Sequence, residues 1–442
     1  RSPCALRNGS RPAENRVDIG MQSSCDRYWA EYYSYHTGFA SYSSGLPANA
    51  PRPKLKRFRF ALPLKHFPLL LLAILSLPTE LSWASDLTLT ISGEPELFLA
   101  QDGMNCKRSR QGDARDQPDV PLTAFRRKDN SVVVIASNQN NYILEGTSID
   151  DARRKSCDRI VETVNDPDPS TYNGRRWLFA LHAIDYGFVL GFVHNEYHGD
   201  EFAEQGCEVS SRQNFECWYS AVTLVLSTDG GFSFVTPPPA ENVLAAPPVA
   251  FSVRRKRVGV DSPKVVGNPH DKMVYVMVND RDLNHGRHAV QCLLRGSGKS
   301  LDDWRAWNGK AFALSMGSPY TTTRKEDCQP VLDFPVSSLK YIPATDMFVA
   351  LGTRQSSVVY AFSPDLLNWT TPQELLRFNP KQTWKKGQSP AKSYFSLLDP
   401  DSSSINFDTL ERNPYLFYVQ YDTDEAGLPR RRQIYRMRID IR

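Results

Sequence analysis

The chain has 442 residues, 40% of them hydrophobic and 11% aromatic, which is enough apolar side chain to bury a sizeable core and excludes wholesale disorder. Its 53 basic residues nearly balance 49 acidic ones, for a net charge of +4. The basic residues are scattered rather than striped, so nothing favours a nucleic-acid partner, and the surface reads as that of a solvated globular protein.

Residues 1–53 are rich in Ser, Tyr, Pro and Ala without strand or helix periodicity and read as a disordered extension. Residues 54–84 have the order of a secretory signal peptide. The cationic Lys54-Leu-Lys-Arg-Phe-Arg59 precedes an apolar run from Phe67 to Leu77, and the small residues Ser82 and Ala84 flank Trp83. The run is shorter than the roughly 20 apolar residues a membrane span needs. A secreted protein is expected, extracellular or periplasmic, with no stable membrane span once the signal is cleaved; an uncleaved signal anchor is the alternative. Cys4 and Cys25 fall in the extension. The six remaining cysteines are an even number, as an oxidising compartment favours, and no Cys-x-x-Cys pair points to zinc. Cys207 and Cys217 flank a polar loop they could close. Connectivity is otherwise open; the expected pairing is Cys207–Cys217, Cys292–Cys328 and Cys106–Cys157.

From residue 86 onward, short runs of Val, Ile, Phe and Tyr alternate with Gly, Pro, Asn and Asp, an all-β pattern. Asp86-Leu-Thr-Leu-Thr-Ile91 alternates cleanly and reads as a strand completing the last repeat. Further strand runs are Ser131–Ser137, Gly187–Val193, Met273–Val278, Met347–Gly352 and Tyr415–Tyr421. The tripeptide Ser-x-Asp recurs at Ser148–Asp150, Ser227–Asp229, Ser300–Asp302 and Ser363–Asp365, at intervals of 79, 73 and 63 residues. The last three copies are followed by an aromatic: Phe234, Trp304 or Trp307, and Trp369. A Ser or Asp side chain can accept backbone N–H bonds two residues on and stabilise a tight turn between strands. Repetition on this scale indicates one supersecondary unit used five times, at about 116–151, 171–235, 258–312, 333–376 and 392–441.

Ser227-Thr-Asp-Gly-Gly-Phe-Ser-Phe234 resembles the Asp box of sialidases, and Ser363-Pro-Asp-Leu-Leu-Asn-Trp369 resembles the blade ends of five-bladed propeller glycosidases of the arabinanase, xylosidase and fructosidase group. The resemblance implies a five-bladed β-propeller over 86–441, its ring closed by N- and C-terminal strands. It further implies a glycoside hydrolase acting on an oligo- or polysaccharide, with inversion favoured. A non-catalytic carbohydrate- or protein-binding propeller is the alternative, because Asp boxes are structural turns. A monomer without a cofactor is expected, and a calcium ion in the channel is left open.

In such a ring, ligand groups converge where the innermost strands open onto the central channel. Asp119, entering the first unit, lies where the resembled glycosidases carry their first catalytic carboxylate; it is otherwise a turn residue beside prolines. In the second unit His194, Glu196 and His198 alternate on a strand and would share a face, with His182 and Asp185 upstream. The trio could bind a metal, could protonate a leaving oxygen through Glu196, or could simply end a strand. Asp261 with Lys264, and Asp333 with Lys340, stand near the entries of the third and fourth units as substrate contacts or ion pairs. Arg126 and Arg127 invite comparison with a sialidase arginine cluster, although no further members of such a triad can be placed. Trp177, Trp218, Tyr219 and Tyr320 could stack on sugars or pack between sheets. The expected acid is Glu196 and the expected base Asp119, with Asp261 as substitute; His182, His194, His198, Arg126 and Asp333 are the expected substrate contacts.

Overall fold

The computed structural model describes residues 87–106, 116–136, 138–207, 216–378, 390–423 and 429–442; the residues read as extension and signal peptide lie outside these. Among the described residues the fold is all-β, with short 3-10 turns and one four-residue helical turn at Pro239–Asn242. No helix among them is long and apolar enough to cross a membrane.

Strands β1 (Leu89–Ile91) and β2 (Glu96–Leu99) open the described chain. Strands β3 (Thr123–Arg126), β4 (Val132–Ile135) and β5 (Leu144–Gly146) form an antiparallel sheet. The next group is β6 (Arg175–Ala183), β7 (Val189–His198) and β8 (Trp218–Ser227), with β9 (Val243–Ala245) against β8. It continues into β10 (Val258–Gly267), β11 (Val274–Asp282), β12 (Arg287–Gly296), β13 (Arg305–Trp307) and β14 (Phe312–Leu314). The two halves of this large sheet are joined by parallel pairing of Val258 with Tyr219 and Gly259 with Ser220, beside an isolated antiparallel bridge between Glu216 and Lys256. Glycine is required at that seam, since a Cβ on Gly259 would sit 1.8 Å from Ser220 Oγ. Strands β15 (Val336–Ile342), β16 (Met347–Arg354), β17 (Ser357–Ser363) and β18 (Gln373–Arg377) make an antiparallel meander. The last sheet contains β19 (Ala391–Leu398), β20 (Tyr415–Thr423) and β21 (Pro429–Ile441). Both β1 and β2 pair with β21, Leu89 lying opposite Ile441.

Apolar clusters sit between successive sheets. Phe125 and Val133 of the first sheet pack with Leu178 and Val193 of the second group. Phe192 meets Val276 and Trp304 across the β8–β10 seam. Val266 and Tyr275 meet Phe348 and Ala361, and Val349 and Phe362 meet Phe395 and Tyr418. Phe417 and Ile434 of the last sheet pack with Ala124 and Val134 of the first. Strand β4 is buried on both faces, which is why its sequence is a continuous apolar run rather than an alternation.

The turns separate the four Ser-x-Asp copies into two kinds. In the second, Asp229 accepts from the backbone N–H of Phe232 and Ser233, and Ser227 Oγ donates to Asp229 at 2.7 Å. The fourth repeats this, Asp365 accepting from Leu367 N and Asn368 N. In the first, Asp151 rather than Asp150 accepts the turn N–H groups, and Asp150 instead pairs with Arg436. In the third, Asp303 accepts from Ser297 N, and Trp304 rather than Trp307 is the buried aromatic. The glycosylation sequon Asn368-Trp-Thr370 lies in the fourth turn. Asn368 Nδ2 donates to Asp365 at 2.6 Å and Thr370 Oγ1 accepts from Phe362 N at 3.0 Å, so both sequon side chains are tied into the turn. A glycopeptide map from a eukaryotic host should find little glycan there; near-complete occupancy would mean the turn opens.

Three disulfides join Cys106–Cys157, Cys207–Cys217 and Cys292–Cys328, the pairing expected from the sequence. The Cys207–Cys217 bridge ties the end of the β7–β8 connection to the start of β8, with Cα atoms 6.3 Å apart. Non-reducing mass spectrometry should find all six cysteines oxidised. Free thiols at Cys207 and Cys217 would reject this bridge and the oxidising compartment with it.

Candidate active site

The five strands β3, β6, β10, β15 and β19 line one central cavity, to which Thr123, Phe179, His182, Lys264, Ser338 and Ser396 contribute. The β19–β20 connection covers one end. Ile405 O accepts from Arg126 N, Asn406 Oδ1 from Ala183 N, Asp408 Oδ2 from Gly267 N, and Phe407 O from Lys340 Nζ at 2.7 Å. These bonds reach the C-terminal ends of four inner strands. Two lysines remain inside: burial pulls Lys264 down to about 7 against the attraction of Asp261, and Lys340 down to about 8 against that of Asp408.

Away from the lining of this cavity lies a buried cluster of carboxylates. Strand β7 is paired on both sides, by β6 and β8, and every residue in it is buried. Alternation puts His194, Glu196 and His198 on one face, and they do meet. Glu196 Oε2 is 3.0 Å from His198 Nε2 and Oε1 is 3.4 Å from His194 Nε2. His194 packs on Trp177 and Phe179, and His198 lies against Trp218 with ring centres 4.8 Å apart. Burial raises the Glu196 pKa and lowers that of His194.

Asp261 enters from β10. A bulge between Asp261 and Lys264, with Ser262 at φ 55°, shifts the strand by a residue so that both side chains turn inward. The carboxylate accepts from Asn279 Nδ2 at 2.8 Å, Arg257 Nη2 at 3.1 Å and Arg281 Nε at 3.3 Å. Burial opposes its ionisation, but Arg281, Arg257 and His194 prevail and hold it well below the usual carboxylate range. Arg257 also lies 3.8 Å from Glu196 Oε1 and stacks 3.9 Å over Trp218.

Asp119 enters before β3. It accepts from Trp177 Nε1 at 3.2 Å and Tyr394 Oη at 2.9 Å, and is ion-paired with Arg432 of β21. Burial pushes its pKa up against the pull of Arg432, Tyr394 and Trp177. Because the Trp177 ring also packs on His194, the three carboxylates, two from strands β7 and β10 and one from the segment before β3, lie along one line of contacts running from Asp119 through Trp177 and His194 to Glu196, Arg257 and Asp261.

Other expected contacts lie elsewhere. Asp333, in the segment before β15, is exposed and ion-paired with Arg354 rather than Lys340. Arg126 is half-buried over the Phe407 ring at the covered end, and His182 lies there too, 3.4 Å from Asn406. Neither lies with Glu196, which does not line this cavity. Asp185 is a turn residue accepting from Gly187 N and Phe188 N. Arg127 is paired with Glu145 and bonded to Gly231 O, a structural role. Tyr219 and Tyr320 pack with Tyr172. Arg257, Arg281, Tyr394 and Arg432 were missed. Only Arg257 left a local trace, as the last member of the basic run Arg254–Arg257 leading into an apolar strand. Among the described residues, the one group of ligand atoms spaced for a metal is Asp280 with Cys292 and Cys328, whose sulfurs are taken up in a disulfide.

No protein-family model matches the chain, and no curated protein matches it. Solved structures align with most of it at low identity. A protein of unknown function from Dyadobacter fermentans is 12% identical, with 80% of this chain and 99% of that one covered and a TM-score of 0.43. A glycosyl hydrolase from Bacteroides ovatus is 10% identical, with 78% and 93% covered and a TM-score of 0.43. An endo-arabinase from Bacteroides thetaiotaomicron is 9% identical, with 78% and 98% covered and a TM-score of 0.42. Likeness at this level says nothing about the chemistry of the site.

Proposed function

We propose that the chain is a secreted glycoside hydrolase built on a five-bladed β-propeller, with Glu196 as general acid and Asp119 as base. The ring reading is supported by the five inner strands around one cavity, the packing of the last sheet on the first, and the pairing of β1 with β21. The observation that carries the chemistry is the opposite displacement of two neighbouring carboxyl groups. Glu196 is raised by burial while Asp261, across Arg257, is held ionised. Environments that drive paired carboxyl groups apart divide them into an acid and a fixed charge. The negative charge of Asp261 further raises Glu196, so Asp261 acts through Glu196 as a positioning residue.

In the proposed reaction Glu196 gives its proton to the leaving glycosidic oxygen as the bond to the anomeric carbon breaks. Asp119 takes a proton from the water that attacks that carbon from the other face. Inversion follows if the carboxyl groups stand about 6.5–9.5 Å apart across the bound sugar. The test is to incubate the purified chain with a panel of glycans, following reducing-end release and the anomer first formed. Release of one sugar class, lost in Glu196→Gln, is expected. Binding without cleavage of any member would assign the chain to the carbohydrate-binding alternative.

A further inference from the structure

Each of the five inner strands contributes a polar residue to the lining of the central cavity: Thr123 on β3, His182 on β6, Lys264 on β10, Lys340 on β15 and Ser396 on β19. The ionisable members of that lining are Lys264, Lys340, His182 and Asp408. Asp408 attracts Lys340 and is bonded by Gly267 N and Ser404 Oγ. Lys264 is attracted by Asp261, which lies outside the lining and already bonds Arg257 at 3.1 Å and Arg281 at 3.3 Å. With Asp408 set against Lys340, and Asp261 against two arginines, Lys264 has no carboxylate of its own. The nearby imidazoles, His182 and His194 on β7, are both pulled down by burial and add no negative charge.

Hydrogen bonding is short by the same measure. An ammonium has three N–H groups. Among the described residues Lys264 Nζ donates to Ser262 O and Lys340 Nζ to Phe407 O. Ser396 is 1% exposed and its Oγ has no hydrogen-bond partner. Buried donors without acceptors are costly, and a buried charge without a counter-charge more so. The cavity has about 30 Å³ of free space. A water needs roughly 10–15 Å³, so the space suits one or two water-sized bodies and is too small for sulfate or a sugar.

We propose that the central cavity holds one monatomic anion, chloride in ordinary salt, with Lys264 as its counter-charge and Ser396 Oγ as a donor to it. The site is independent of the glycoside hydrolase reading. It supplies the missing acceptor between strands that meet only around the cavity, and it keeps Lys264 in its ammonium form. Without an anion, burial draws Lys264 down to about 7.

The test compares thermal midpoints of the purified chain at about pH 6 in sodium chloride, sodium bromide and sodium gluconate at one ionic strength. Gluconate is too large for the cavity, so the halides should raise the midpoint over it by about 2–4 °C. Lys264→Met, of similar length and uncharged, should abolish the halide response. Its midpoint in gluconate should equal or exceed that of the wild type, which separates loss of the site from misfolding. Ser396→Ala, a smaller change, should weaken halide binding by about two- to tenfold. The anion takes the ammonium and not the amine, so halide affinity should be full below about 7 and fall by up to about tenfold for each pH unit above it. Anomalous scattering from a bromide-soaked crystal should place one ion beside Lys264. Equal midpoints in halide and gluconate, a halide response that survives Lys264→Met, or an affinity unchanged between about pH 6 and about pH 9 would overturn the proposal. None of these outcomes bears on glycan cleavage, which the glycan panel tests separately.

Discussion

Glu196→Gln should lower glycosidic turnover by about 100- to 10,000-fold, the range for loss of a positioned general acid. Its thermal midpoint should change little. Burial favours the protonated form of Glu196, and a glutamine has the shape and neutrality of that form while still reaching His194 and His198. The pH profile gives an independent check. An acid must be protonated to act, so activity should fall as pH rises through the raised Glu196 pKa. The stability linkage has the same sign. A carboxyl whose folded pKa is raised stabilises the fold while protonated, and that contribution is lost as pH rises through the folded value. The wild type should therefore lose stability on the alkaline side sooner than Glu196→Gln. Full activity in the variant would end the assignment of Glu196 as acid.

Asp261→Asn should have the largest effect on stability. The carboxylate is fully buried and neutralises two buried arginines, Arg257 and Arg281. Removing one partner of such a network leaves uncompensated charge and typically costs about 3–5 kcal/mol. Denaturant unfolding would measure it, and a loss below about 1 kcal/mol would mean that the arginines find water or another anion. The pH dependence runs opposite to that of Glu196. Because the folded pKa of Asp261 lies below its ordinary value of 3.8, its contribution is present above that value and disappears only as pH falls through the lowered folded one. Activity should fall in this variant too, since the charge of Asp261 helps keep Glu196 protonated and Asp261 orients Arg257 beside it.

Much of the architecture was legible because strands and turns are encoded locally. Runs of β-branched and aromatic residues, broken by Ser-x-Asp turns, marked units whose limits fall near strand ends. The second and third units lie in one nine-stranded sheet, however, so the described strands form four sheets, and β2 and β9 lie outside the units. Period-two alternation was enough to set His194, Glu196 and His198 on one face of β7. Loop position pointed to Cys207–Cys217; the even number left the other two pairings open, and the structure pairs them as expected. Two of the four turn motifs misled, however: Asp151 and Asp303 bind the backbone where Asp150 and Asp302 were expected, because Ser-x-Asp specifies a turn only when the following residues supply N–H groups to that side chain.

What the sequence by itself determined is the strand periodicity, two of the turns, the even cysteine number and the shared face of β7, all of which depend on neighbours within a few residues or on cysteine number. The tertiary structure alone decided the direction in which each carboxyl group's pKa moves and which charges surround it. Asp119 finds Arg432 at a separation of 313 residues, Asp261 meets Arg281 only through pairing of β10 with β11, and the β19–β20 connection covers the end that holds His182 and Arg126. A carboxyl group's pKa depends on how deeply it is buried and which charge lies within a few ångströms, and those are properties of the assembled sheets rather than of any one strand.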